Sequence, residues 1–214
     1  MTAKKSIGKD AEKVFRSLWA GDFVRDTEKL LVAPKELQDG IIALIDGEIE
    51  KAKAGKSCYI GMKVNAMSDK DIMKKLQEAS KAGVKIDLII RGINCLISQV
   101  PGVTENIRVY SIVGRFLEHA RIYIFGVGDE EKVYISSADM MSRNTVRRVE
   151  VATPIEDAPL RAKIHHVFDL QLQDNVKARV QNSEGIYMKR KPQDGEEARN
   201  SQEQMLREMI EAIQ

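Results

Sequence analysis

The sequence predicts an α/β fold with a mixed β-sheet flanked by helices. Three observations carry that reading. Short β-branched-rich runs alternate with helical periods through the first half of the chain. One strand–helix–strand stretch has the spacing of a parallel crossover, which takes a right-handed path. In the second half, two alternating runs flank a short Gly-containing loop and read as an antiparallel hairpin. A sheet with both kinds of connection is mixed.

The elements follow in order. Ala11, Val14, Phe15, Leu18 and Trp19 mark a helix that stops at Gly21-Asp22. It carries large apolar groups with no evident partner, and such a helix packs on something else. LLVAP (residues 30–34) reads as a short strand, with Pro34 opening the next helix at its first turn. That helix repeats Leu37, Ile41, Leu44, Ile45 and Ile49 and ends near Gly55. CYIGMKV (58–64) is a strand. Ser68-Asp69-Lys70-Asp71 offers an N-cap to a helix holding Ile72, Leu76 and Ala79. VKIDLII (84–90) is the parallel partner strand.

IRVYSIV (107–113), HARIYIF (119–125), KVYIS (132–136) and RRVEVAT (147–153) are further strands. Glu156-Asp157-Ala158-Pro159 starts a helix with Leu160, Ile164, Val167, Phe168 and Leu172. Residues 182–197 read as loop and linker. The tail from Ala198 repeats Met205, Leu206, Met209, Ile210 and Ile213 at helical spacing.

Composition bounds the function. The chain has 214 residues, 43% hydrophobic and 31% charged, the make-up of one globular domain with a fragment of another. No apolar run approaches the roughly 18–20 residues that span a bilayer. The first residues lack the apolar core of a secretory signal. A net charge of +2 removes any bulk electrostatic argument for nucleic acid. Cys58 and Cys95 both sit in apolar runs and read as buried free thiols, which points to the reducing cytoplasm. No GxxxxGK[ST] and no GxGxxG occurs, so the two commonest phosphate cradles are absent.

In open α/β sheets ligands sit beyond the carboxyl ends of the strands. Here those ends carry Lys63 and Asn65 on one strand and Arg91-Gly92 on the next. They form either an anion site or ordinary surface charges. In the run 118–125, alternation puts His119, Arg121 and Tyr123 on one face. Arg offers a fixed fork of donors for phosphate oxygens, and His donates as a cation or attacks phosphorus when neutral. The alternative is a half-buried structural histidine. Ser136-Ser137-Ala138-Asp139, Arg143-Asn144 and Arg147-Arg148 follow, and would deepen a phosphate pocket or form a solvated face. His165 and His166 are neighbours, do not face one side of a helix, and have no metal-ligand partners at suitable spacing.

Six segments together carry a resemblance: KVNAMSDKDI (63–72), AGVKIDLIIRGINCL (82–96), ENIRVYSIVGRFLEHARIYIF (105–125), VYISSADMMSRN (133–144), RRVEVATPIED (147–157) and DNVKAR (174–179). They resemble the C-terminal part of class 1 polyphosphate kinase, from about residue 8 to residue 180. The resemblance implies a phospholipase D-like domain. It implies a division into 1–30 as the trailing segment of a preceding catalytic domain, 31–182 as the phospholipase D-like domain, and 183–214 as linker and amphipathic helix. It implies a phosphotransferase that moves the terminal phosphate of ATP reversibly onto polyphosphate through a phosphohistidine in an upstream domain. His119 matches the family's essential histidine of the last domain. Arg91 and Arg148 match phosphate-binding arginines, Lys63 and Asn65 match a K-x-N element at the pocket edge, and Arg121 lines the same substrate site. No metal ligand is assigned here, and Mg²⁺ arriving with ATP takes its ligands outside this chain. ATP, ADP, polyphosphate, the upstream domains and further copies of the enzyme are the implied partners, and nucleic acid is not. The implied location is cytoplasmic, with the inner face of the membrane as an alternative. Taken alone, the implied fragment is inactive. The competing reading is a polyanion- or nucleotide-binding module without turnover.

A phospholipase or nuclease of that fold would need H-x-K-x-x-x-x-D twice. Here Arg121 replaces the Lys, Gly126 replaces the Asp, and one copy is present. That argues against phosphodiester hydrolysis.

Overall fold

The computed structural model describes residues 2–213. The outermost residues of the first and last expected segments, 1 and 214, lie outside the described residues. The chain runs α1 (Lys5–Ala20), β1 (Leu31–Val32), α2 (Leu37–Lys53), β2 (Tyr59–Val64), α3 (Lys70–Lys81), β3 (Lys85–Ile90), β4 (Ile107–Ser111), β5 (Arg121–Phe125), β6 (Lys132–Ser136), α4 (Ser142–Thr145), β7 (Val151–Pro154), α5 (Ala158–Gln173), β8 (Arg179–Gln181), β9 (Tyr187–Lys189) and α6 (Ser201–Glu211). One nine-stranded sheet has the order β1-β7-β6-β5-β2-β3-β4-β8-β9. The pairs β2–β3 and β3–β4 are parallel, and β2–β5, β5–β6 and the outer pairs are antiparallel.

The mixed sheet follows from its two faces. On one, Ile60, Met62, Val64, Ile86, Leu88, Tyr123 and Phe125 pack under Ile41 and Ile45 of α2 and Leu76 of α3. On the other, Ile89, Tyr110, Ile122 and Ile124 pack against Phe168 of α5. Consecutive residues of β5 therefore enter opposite cores, as the period of two requires. Asp69 caps α3 by accepting from the Asp71 and Ile72 amides at 3.1 and 3.2 Å. Asp157 caps α5 through the Leu160 amide at 2.9 Å.

Several local expectations are corrected. Pro34 lies in the turn before α2, not in its first turn. His119 is not in a strand, because β5 begins at Arg121, which pairs with Ser136 at the very end of β6. No partner strand reaches beyond that point. For the same reason Arg147 and Arg148 precede β7, whose pairing starts at Val151. Residues 182–197 are not all loop: β8 and β9 form a hairpin, its turn held by Asn182, which accepts from the Glu184 and Ile186 amides. Three-residue edge strands leave no readable period. Cys58 is half-buried and Cys95 exposed, since the chain after β3 crosses the surface with Ile93 and Ile97 also exposed.

α1 buries Ile7 and Val14 against Val24, Leu30 and Val32, while Phe15 and Trp19 stay exposed. Asp10 ties the helix down by accepting from the amides of Glu28, Lys29 and Leu30 at 3.0, 2.6 and 3.1 Å. Asp174 plays a similar part after α5. Its Oδ1 accepts from the amides of Val176, Lys177 and Ala178, and its Oδ2 from the amide and hydroxyl of Ser201. The turn after α5 and the start of α6 thus share one buried carboxylate.

Burial alone would raise both carboxyls, but these donors hold Asp10 and Asp174 below the ordinary carboxylate value. A depressed value in the folded state stabilises the fold above the unfolded value of roughly 3.9 and loses that contribution as pH falls through the folded value. Asp174→Ala is therefore expected to lose about 3 kcal/mol at pH 7. Urea unfolding should show the gap to the parent shrinking below about pH 4. A gap that stays constant down to pH 3 would contradict the assignment.

Candidate functional site

The carboxyl ends of β2, β3 and β6 meet the amino end of β5 at one edge of the sheet. Register fixes this meeting, with Lys63 opposite Ile122 and Arg121 opposite Ser136. Asn65 and Arg91 are the first residues past the expected strand ends.

Asp139 joins them. The Asn65 amide donates to Asp139 Oδ1 at 2.7 Å, and Asn65 Nδ2 reaches Oδ2 at 3.4 Å. Arg121 donates to both carboxylate oxygens, Nε to Oδ1 and Nη2 to Oδ2, each at 3.2 Å. This is the fork geometry that makes Arg–carboxylate pairs strong and directional. Burial would raise the Asp139 carboxyl, but Arg121 and Asn65 hold it below its ordinary value.

From this frame two side chains reach outward. Arg121 Nη1 donates to the His119 carbonyl at 3.2 Å and lies 3.1 Å from His119 Nδ1. A guanidinium only donates, so in this contact Nδ1 is the acceptor and Nε2 is the ring nitrogen left to carry a proton. Arg91 Nε donates to Asn65 Oδ1 at 2.8 Å and to the Glu118 carbonyl at 2.6 Å. Its terminal nitrogens have no hydrogen-bond partner among the described residues. His119 is exposed and Arg91 half-buried.

Lys63 sits on the opposite sheet face, its side chain 2% exposed, with Nζ 3.0 Å from Glu118 Oε2. Burial pushes the Lys63 ammonium below its ordinary value, Glu118 opposes that, and Arg91 and Arg121 add to it. Glu118 also accepts from Gln171 of α5 and Gln202 of α6, both at 2.8 Å.

Arg91, Asn65, Arg121 and His119 thus form one hydrogen-bonded group, and Lys63 joins it through Glu118. Arg148 stands apart from that frame. It is exposed on the turn after α4, its amide donating to the Arg143 carbonyl at 3.0 Å. The serines do not open into a pocket. Ser137 binds Glu150 and Ser136 the Val151 carbonyl, both stitching the turn to β7. His165 and His166 are drawn to different elements, to Glu131 and to Glu208 of α6. A cavity of about 630 Å³ lies between α5 and α6 around His166, Asp169, Arg199 and Glu208, and none of the site residues above lines it.

Sequence reading missed Asp139, Glu118, Gln171 and Gln202. Asp139 had a usable signal, since the hairpin register brings the end of β6 beside Arg121. The glutamines had none, because they arrive from helices whose packing is purely tertiary.

Gly92 shows how tightly the edge is built. A Cβ there would lie 2.7 Å from the Asn65 carbonyl oxygen, a backbone atom that cannot swing aside. Gly92→Ala is expected to cost about 1–3 kcal/mol in urea unfolding. An unchanged midpoint would mean that the backbones are not in close approach.

The comparisons with known proteins agree with this architecture. The family model "Polyphosphate kinase C-terminal domain 2" matches residues 30–202. The polyphosphate kinase of Parasynechococcus marenigrum is 41% identical over 213 residues, all of this chain and 30% of that protein. That of Bacillus cereus is 46% identical over 187 residues, 87% of this chain and 27% of that protein. The chain thus spans under a third of the length of these relatives. The crystal structure of polyphosphate kinase from Porphyromonas gingivalis superposes with a TM-score of 0.92 at 39% identity, covering 99% of this chain and 32% of that one. The phospholipase D family member Nuc from Salmonella typhimurium gives 0.55 at 16% identity, covering 72% of this chain and 97% of that one, a likeness of fold alone. A mixed sheet of this order, flanked by helices on both faces, is a phospholipase D-like fold, and the chain belongs to the polyphosphate kinase C-terminal domain family.

Proposed function

We propose that this domain supplies one wall of a phosphoryl-transfer centre that moves the terminal phosphate of ATP reversibly to polyphosphate. The observation that carries the reading is the Asp139 frame, which ties Arg91, through Asn65, and the His119 ring, through Arg121, to one edge of the sheet. The terminal Arg91 nitrogens and His119 Nε2–H donate to phosphate oxygens. Arg148 adds a second guanidinium from its turn. Arg121 orients the His119 ring through Nδ1, while Asn65 and Lys63 support Arg91 and Glu118 from behind.

Phosphoryl transfer asks little covalent chemistry of the protein, so positioned charge and donors supply most of the rate. His119 acts here as a phosphate ligand or proton donor. The phosphorylated histidine belongs to a different domain of the complete kinase. The two carboxylates nearest the site, Asp139 and Glu118, are committed to cations and amides. Among the described residues no group of three or more His, Cys, Asp or Glu converges to hold a metal ion. We further propose that Mg²⁺ travelling with the nucleotide takes its protein ligands from other domains of the complete kinase. ATP or ADP, polyphosphate, the other domains of the kinase and further copies of it are the proposed partners, in the cytoplasm.

In the complete kinase, His119→Ala is expected to lower polyphosphate synthesis by about 10²-fold or more, and Arg91→Ala by a similar factor. Synthesis from labelled ATP measures both. Near-normal synthesis with His119→Ala would remove His119 from the centre.

A further inference from the structure

The segment that carries Phe116, Glu118 and His119 has no secondary structure, for β4 ends at Ser111 and β5 begins at Arg121. A site residue in such a segment needs an external template, and the template is one side chain of α6. Gln202 is 4% exposed. Its Oε1 accepts from the Phe116 amide at 3.0 Å, and its Nε2 donates to the Phe116 carbonyl at 2.9 Å. Nε2 also donates to Glu118 Oε1 at 2.8 Å. Both polar atoms of the amide are thus used on Phe116 and Glu118, just before His119.

The socket is shaped for it. A Cβ at Gly114 would lie 2.4 Å from Gln202 Oε1, so a side chain there would push the amide out of this position. The start of α6 is fixed separately, through the amide and hydroxyl of Ser201 on Asp174. Beyond Gln202 the helix contributes little to the site, with Met209 and Ile210 exposed. Glu118 in turn passes the constraint on. Its carbonyl holds Arg91 Nε, its carboxylate meets Lys63, and its successor is His119.

We propose that Gln202 is a positioning residue of the phosphoryl-transfer centre, setting the backbone from Phe116 to Glu118 and so the placement of His119 and Arg91. The proposal rests on the function inferred above. Small displacements of donors in such a centre cost far more rate than stability.

The test compares four variants of the complete kinase, His119→Ala, Gln202→Ala, Gln202→Glu and Ser201→Ala. Each is measured for kcat, ATP KM and melting temperature. Gln202→Ala is expected to lower kcat about tenfold, with ATP KM changed less than kcat. Gln202→Glu sets a second carboxyl against Glu118, and a shared proton restores one hydrogen bond at low pH. Its kcat should therefore recover relative to the parent as pH falls from 8 to about 6. Ser201→Ala loosens the anchor of α6 without touching the amide, so it should lower the melting temperature and leave kcat near the parent's.

If Gln202→Ala and Ser201→Ala lower kcat only in proportion to lost stability, and Gln202→Glu shows no altered pH profile, Gln202 is structural and the proposal fails. If His119→Ala collapses synthesis while the Gln202 variants stay within twofold of the parent, the proposal fails but the function stands. If His119→Ala itself is active, the underlying function fails with it.

Discussion

Four hydrogen bonds from Asn65 and Arg121 converge on the carboxylate of Asp139, and the rest of the site depends on them. They join the end of β2, the start of β5 and the turn after β6, three strands that meet only through the order of the sheet. Without that carboxylate, Arg121 would lose its orientation and the His119 ring its neighbour at Nδ1. Asn65 would lose the contact that aims its side-chain oxygen at Arg91. A cationic cluster with no buried anion would also repel itself, and the buried carboxylate offsets that repulsion where solvent screens little.

The opposite face of the sheet repeats the arrangement, again with the cation on a strand and the anion in an irregular segment. There the buried cation, Lys63, belongs to β2 and the anion, Glu118, to the segment before β5. A buried ion pair alone is weak evidence for stability, because desolvation offsets much of its attraction. Two glutamine amides complete the hydrogen bonding of Glu118. The pair therefore fixes the loop in one conformation, which suits a residue next to a proposed phosphate ligand. The domain thus builds its edge around two carboxylates committed to its own cations and amides, with Arg91 and His119 outside them.

Much of this was legible in the residues. The parallel crossover from Tyr59 to Ile90 and the β5–β6 hairpin both stand where periodicity placed them, because each strand is apolar on the face its core demands. The polar strand ends, with the cations Lys63 and Arg91 and the amide Asn65, were visible for the same reason. What sequence could not show was where pairing stops. Whether His119 lies in β5 depends on the length of β6, not on its own neighbours. Nor could sequence show which glutamine of a polar helix turns inward, since Gln202 and Gln204 differ only in what their helix meets. The short β8–β9 hairpin stayed hidden because three residues carry no measurable alternation.

In the proposed centre His119 binds phosphate without becoming phosphorylated. The most direct measurement incubates this chain with Mg²⁺ and ATP labelled at the terminal phosphate, at low salt. Bound nucleotide is then read by equilibrium dialysis, and acid-labile label by quenched gel analysis. The account predicts bound ATP with no acid-labile label on the protein. Label mapping to His119, or no detectable nucleotide binding, would contradict it.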